Sequence, residues 1–344
     1  MRHRIPALDG LRAAAAVAVI AHHAGVPGMA WGWLGVDAFF VLSGWLIAGL
    51  LIEERTATGR VDLLRFYALR AARLYPALLV AVVLTRLLPT GTGTGHALLT
   101  LAYLSDVIRS FSGDVGWLAH TWSLSVEEHF YLAFPLVVLC CRGSRRAIAW
   151  VSAAGIVCSL GLALVVDPPW QTYGDLGYFS TPTRCWEILA GCLLAAAGRP
   201  RLGPAWRALL GVAAPLLLAG AMVFVITDER RVLVSVLVAA VTAGFIVAAV
   251  SGPLPAGWWP LPQLGAVSYG LYLYHPIPLA FLEGAGWPVR LAACIGFAVP
   301  TAFASHRWVE QPVRRWARRA LVRRGSGGLR FATVRAAARR QVVG

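Results

Sequence analysis

Long apolar stretches recur along this chain, most of them close to twenty residues, and that recurrence limits the fold more than any single motif does. A helix crossing the hydrocarbon core of a bilayer needs about 20 apolar residues. Of 344 residues, 58% are hydrophobic and 14% charged. Both values depart from the soluble average in the direction expected of a membrane protein. The chain therefore reads as all-α, a polytopic transmembrane helical bundle of about ten spans. The expected spans are Leu8–Ala24, Leu34–Ile52, Leu74–Leu88, Thr121–Cys141, Ala147–Val166, Tyr178–Ala197, Ala208–Ile226, Val232–Val250, Leu264–Glu283 and Val289–Ser305.

Charge orients these spans. The formal net charge is +15, carried by arginine alone because the chain has no lysine. That rules out a lysine nucleophile or Schiff base. The excess suits cytoplasmic loops and anionic headgroups better than nucleic acid. Gly91–His120 is only partly apolar, interrupted by Asp106 and Arg109. If it crossed, Arg142, Arg145 and Arg146 would fall outside, against the bias for basic loops, so a re-entrant or peripheral segment is expected after the third span. Irregular backbone at that depth must be buried in protein or line a cavity. Both termini are then cytoplasmic in a multi-pass protein of the cell membrane. MRHR is read as uncleaved, since the first span carries Arg12 and His23. Residues 1–316 form the expected transmembrane domain, and 317–344 a basic cytoplasmic tail without fixed structure. The six cysteines lack metal-like spacing and read as small apolar packers, so no metal is expected.

Ionisable groups inside spans mark functional positions. In the first span, Arg12 and His23 are eleven residues apart. At the helical rise this is roughly 16 Å, and eleven turns of about 100° bring the two side chains to within some 20° of one line. His22 falls off that line. A guanidinium at one end and an imidazole at the other would suit a polar path through the bilayer. Arg70 and Arg73, three apart, share a helix face, and such a fork can grip phosphate. Glu127 and Glu128 enter the span that begins at Thr121, Asp37 lies near the outer end of the second, and Arg184 and Glu187 sit one turn apart as an expected ion pair.

The ordered motifs LDGLRAAAAVAVIAHHAG, GVDAFFVLSGWLI, RFYALRAARLYPA, TWSLSVEEHFYL, SYGLYLYHPI and WVEQPVRR resemble those of the acyltransferase 3 family of integral-membrane O-acyltransferases. The likeness runs from about Ile5 to Arg315. The family's arginine, ten residues, then histidine falls on Arg12 and His23, and its paired arginines fall on Arg70 and Arg73. The resemblance implies transfer of an acyl group, acetyl foremost, from cytoplasmic acyl-CoA to a hydroxyl. The acceptor would be a cell-envelope glycan, a lipid-linked sugar or a glycosylated natural product. Acyl-CoA would be a donor substrate, with no permanently bound cofactor. Some members carry a further extracytoplasmic domain, which is not expected here.

The chemistry agrees with the residues. Acyl transfer to an alcohol needs a base for the hydroxyl and donors for the oxyanion, and imidazole has a suitable pKa for the first task. His23 is the expected base, with Glu127 or Glu128 as its orienting or charge-balancing partner. Arg12, Arg70 and Arg73 are assigned to the donor's phosphates, and Asp37, Trp122, Ser123 and His275 to substrate. No GxSxG-like elbow appears, so direct transfer is expected, with an acyl-His23 intermediate left open. A secondary transporter of an anionic small molecule is the alternative, although such folds usually show paired repeats.

Overall fold

The computed structural model describes residues 5–88, 93–112, 116–166, 175–198, 200–224, 231–257 and 260–325. The end of the tail, 326–344, lies outside them, as do 91–92 and 113–115 of the expected re-entrant segment.

Within the described residues the secondary structure is helical and contains no strand. Helix α1 is Pro6–Ala24, α2 Gly35–Thr58, α3 Leu63–Leu87, α4 Thr94–Leu101, α5 Ser105–Ser112 and α6 Trp122–Cys140. Then follow α7 Arg145–Val166, α8 Asp175–Phe179, α9 Thr181–Ala197, α10 Pro204–Ala208, α11 Ala214–Phe224 and α12 Arg231–Ser251. The last group is α13 Leu261–Ala266, α14 Ser268–Tyr274, α15 Trp287–Ser305 and α16 Gln311–Gly325.

Six helices among the described residues are long and apolar enough to cross a bilayer. The expected count of ten is therefore not reached by this measure, and the reasons are local. Helix α1 has 19 residues but carries Asp9, Arg12, His22 and His23, which lower its apolarity. Helix α9 has 17 residues and includes Arg184 and Glu187. Leu264–Glu283, expected as one span, is broken into α13, α14 and a 3₁₀ turn at Ile277–Phe281. The break follows from Pro276 and Pro278, which remove backbone donors where a straight helix would need them. Between α3 and α6 the described residues hold the eight-residue helices α4 and α5, neither long enough to cross, and a 3₁₀ turn at Gly116–Thr121 that runs into α6 as one candidate span, Gly116–Cys140.

Helix α3 runs unbroken through Pro76 and is started by Asp62, whose side chain accepts from the Arg65 amide at 3.0 Å. A π-turn at His306–Glu310 joins α15 to α16, and α16 runs past residue 316 to Gly325.

The main core is an apolar cluster drawn from α1, α2, α3, α6, α7, α9, α12, α14 and α15, with two small satellites beside it. Within it α2 packs closely along α9. A side chain at Gly44 would collide with the Ile188 carbonyl across this seam, so glycine is what permits the close approach. Helix α7, in contrast, leaves Trp150, Val157 and Val165 exposed, as befits a helix facing lipid.

Candidate active site

Among the described residues two interior cavities adjoin, and Val36 and Tyr272 line both. The first, of about 80 Å³, is walled by Arg12, Arg70, Arg73, Ser43, Ser123, Glu127, Tyr131 and neighbouring apolar groups. Helix α3 supplies two of its arginines from one face, and α1 supplies the third. Arg70 is heavily committed. Its Nε donates to Glu128 Oε1 at 3.2 Å, and its guanidinium lies 3.2 Å from the centroid of the Tyr131 ring. Arg12 approaches Asp9 only to 4.0 Å. Arg73 makes no ion pair among the described residues, and Arg12, Arg70 and Arg314 stand close enough to repel it. A half-buried guanidinium crowded by others, with no ion pair of its own, is a site for an anion even with Glu127 in the same lining.

The second cavity, of about 270 Å³, is walled by His22, His23, His120, Trp33, Trp122, Tyr178, Phe179, Arg109 and small apolar groups. Helix α1 delivers His23 to it from its last turn. Gly25, at φ 77°, ends the helix in the left-handed conformation, and Arg290 of α15 donates to the His23 carbonyl at 3.0 Å. That bond satisfies one of the carbonyls a helix end leaves open.

Hydrogen bonds define the state of the imidazoles. His275 Nδ1 lies 2.8 Å from the Tyr272 carbonyl, an acceptor only, so Nδ1 carries the proton and Nε2 is an acceptor. His23 Nδ1 lies 2.9 Å from the Val19 carbonyl and 3.3 Å from His275 Nε2. Both partners accept, so His23 Nδ1 is the protonated nitrogen and its donor is shared between them. His23 Nε2 is left with its lone pair and no partner among the described residues. This is the arrangement a general base requires: one nitrogen fixed, the other free.

The expected carboxylate partner of His23 is not there. Glu127 and Glu128 are adjacent on α6 and so diverge by one helical step. Glu127 accepts from Ser43 Oγ on α2 at 2.5 Å, and Glu128 binds Arg70 on α3. Both carboxylates therefore serve the arginine end, and an imidazole takes the place expected for them. His275, expected at the substrate, lines neither cavity; it is buried behind His23 and His120, with ring centroids 4.9 and 5.5 Å away. Asp37 also lines neither cavity. Its carboxylate is tied to Arg184, which reaches Glu187 at 3.2 Å as well, because a buried acid between α2 and α9 needs a countercharge. Trp122 does line the histidine cavity, and Ser123 the arginine cavity.

His120 is the residue that sequence reasoning missed. It is 7% exposed, and neither ring nitrogen has a partner among the described residues. Its backbone carbonyl accepts from Tyr272 Oη at 2.6 Å, and Ser123 Oγ donates to the same Tyr272 oxygen at 2.7 Å. Its only signal in the chain is adjacency to the TWSLSVEEHFYL motif. No cluster of metal-ligating side chains occurs among the described residues.

Comparison with known proteins bears on the family. The family model for the acyltransferase 3 domain matches residues 5–305. The chain is 39% identical over 211 residues to an O-acetyltransferase, OatA, of Staphylococcus aureus, covering 56% of this chain and 34% of that protein. It is 31% identical over 364 residues to a putative peptidoglycan O-acetyltransferase, YrhL, of Bacillus subtilis, covering 94% of this chain and 57% of the other. A peptidoglycan O-acetyltransferase, OatA, of Listeria monocytogenes is 28% identical over 357 residues, covering 91% and 56%. The chain thus spans between a third and somewhat over half the length of these relatives. No solved structure matches it. A domain match across nearly the whole helical region, with the family's arginines and histidine placed in two adjoining cavities, makes this chain a member of the acyltransferase 3 family.

Proposed function

We propose that this chain is a membrane O-acetyltransferase that moves an acetyl group from cytoplasmic acetyl-CoA to a hydroxyl of a cell-wall glycan. The observation that carries the reading is the free Nε2 of His23, held in a cavity that adjoins the arginine cavity. The names of the relatives support the acetyl group and the peptidoglycan acceptor. In this reading the arginine end faces the cytoplasm, in keeping with the gathering of Arg12, Arg70, Arg73 and Arg314 there. Arg73 grips donor phosphate, Arg12 assists it, and Arg70 is held by Glu128 as part of the wall. The thioester end of the donor then extends past Val36 and Tyr272 toward His23.

The reaction follows from the groups present. His23 Nε2 takes the proton of the acceptor hydroxyl as its oxygen attacks the thioester carbonyl. The tetrahedral intermediate collapses by breaking the carbon–sulfur bond, which leaves an ester and a CoA thiolate. The imidazolium returns its proton to that sulfur. During this step His275 Nε2 accepts from His23 Nδ1–H and keeps the ring in its working tautomer and orientation.

The test is transfer of labelled acetyl from acetyl-CoA to a peptidoglycan-derived glycan by purified protein in lipid, with CoA binding measured beside it. His23→Ala is expected to lose roughly a hundredfold or more in rate while retaining CoA affinity. Wild-type transfer by the His23→Ala protein would sink the proposed base.

A further inference from the structure

Helix α3 presents two faces. One turns Arg70 and Arg73 into the arginine cavity. The other, from Ala68 to Leu84, is one wall of a separate groove whose second wall is α16 and the turn before it. The groove encloses about 800 Å³, and the described residues that line it are apolar, with the rings of Tyr75 and Trp316 among them. Small residues create the space. Ala72 and Ala317 are buried at its base, and Ala68, Ala71 and Ala320 add little bulk around them. Leu79, Val83 and Trp316 are 47, 51 and 70% exposed, so the groove is open along its outer side. Ala68 and Leu84 are sixteen residues apart, roughly 24 Å along the helix. One leaflet's share of the hydrocarbon core is about 15 Å, so an acyl chain fits lengthwise.

Charge marks one end of the groove. Arg65 is exposed, lies three residues before Ala68 and shares its face. Helix α16 carries six arginines and no acid, and helical rotation puts Arg314 and Arg319 on the two flanks of its groove-lining stripe. The acids nearest in sequence are already occupied. Asp62 accepts from the Arg65 amide, and Glu310 is bonded to Ser305 and His306.

That charge selects the occupant. A second copy seated on the same face would bring α16 arginines against α16 arginines, since a two-fold interface sets a patch on itself. Residues 326–344 hold four more arginines and no acid, so they meet the same repulsion. A phospholipid with net negative charge meets neither objection. Its acyl chain restores the dispersion contacts that an empty groove forfeits. Its phosphate matches guanidinium donors, and arginines on an amphipathic helix attract anionic headgroups.

We propose that this groove binds one anionic phospholipid, with an acyl chain between α3 and α16 and the headgroup held by Arg65 and the flanking arginines of α16. The site is separate from the transfer reaction and does not depend on it.

The experiment counts lipids retained by the purified full chain in detergent, by native mass spectrometry. The probes are phosphatidylglycerol and phosphatidylcholine with identical chains, and the melting temperature without added lipid controls for folding. Wild type is expected to retain one phosphatidylglycerol roughly tenfold more tightly than phosphatidylcholine. Replacing both Arg65→Gln and Arg319→Gln should remove that preference and leave weak binding of either lipid. Ala71→Trp should fill the groove from its exposed side and abolish retention, with Val83→Trp as a second filling variant at a position facing outward. Equal retention of the two lipids by wild type would reduce the groove to ordinary lipid contact and overturn the proposal. Undiminished phosphatidylglycerol binding in a folded tryptophan variant would do the same, as would a wild-type dimer that the tryptophan variants break.

Discussion

The two cavities share Val36 and Tyr272 but are polar in different ways. The arginine cavity is built of full charges, with three guanidiniums, Glu127 in its lining and Glu128 bound behind to Arg70. The histidine cavity is built of rings, with no carboxylate among the described residues that line it and with His23 Nε2 unbonded. Full charges hold an ion firmly and cost much to uncover, whereas a neutral imidazole binds weakly and exchanges a proton at little cost. The difference divides labour, with one end suited to anchoring a charged substrate and the other to moving a proton.

Variants at the two ends should consequently move different constants. Beyond His23 itself, the largest effect is expected from His275→Phe, which removes one of the two acceptors of the His23 Nδ1–H. Transfer should fall roughly a hundredfold at unchanged CoA affinity, and His275→Gln, which restores an acceptor, should recover part of it. Equal rates for the Phe and Gln variants would show that the imidazole contact does not orient His23. Next in size is Arg73→Ala, which should weaken CoA binding by roughly ten- to a hundredfold, the scale of a lost charge-assisted bond. The rate at saturating donor should be preserved. Arg70→Ala should weaken the fold as well, because it strands Glu128, so a thermal shift confined to the Arg70 variant would sharpen the contrast. If Arg73→Ala altered the saturated rate and left donor affinity alone, the division of labour would be lost.

A variant in the seam between α2 and α9 should fail to discriminate. Gly44→Ala drives a methyl group into the Ile188 carbonyl and pries α2 from α9, at a cost of about 1–3 kcal/mol for overpacking. Since α2 contributes Phe39 and Ser43 to one cavity and Val36 to both, donor and acceptor constants should worsen together, alongside a lower melting temperature. The smallest effect is expected at the partition. Tyr272→Phe deletes the hydroxyl that bonds the His120 carbonyl and Ser123, worth about 1 kcal/mol in stability. Calorimetry showing no loss would mean that this hydroxyl does not hold the wall between the cavities.

Much of this protein was legible in one dimension because helical periodicity acts over a few residues. Apolar length alone identified a helical membrane protein. The 3.6-residue repeat set Arg12 and His23 along one face and paired Arg70 with Arg73, and charge placement marked the stretch after α3 as unable to cross. Spans were overcounted where the apolar run is real but its backbone is broken, as between α13 and the Ile277–Phe281 turn.

The partners across helices were decided only by the tertiary structure. His275 meets His23 from 252 residues away, and Asp37 meets Arg184 from 147. At such separations no local pattern says which helix face will turn toward which. The sequence put Glu127 and Glu128 near the depth of His23, yet depth does not fix direction. Adjacent residues on a helix point about 100° apart, and the packing of α6 between α2 and α3 sent both carboxylates to Ser43 and Arg70. A buried carboxylate goes where a donor or countercharge compensates its lost hydration, and those partners lie on other helices.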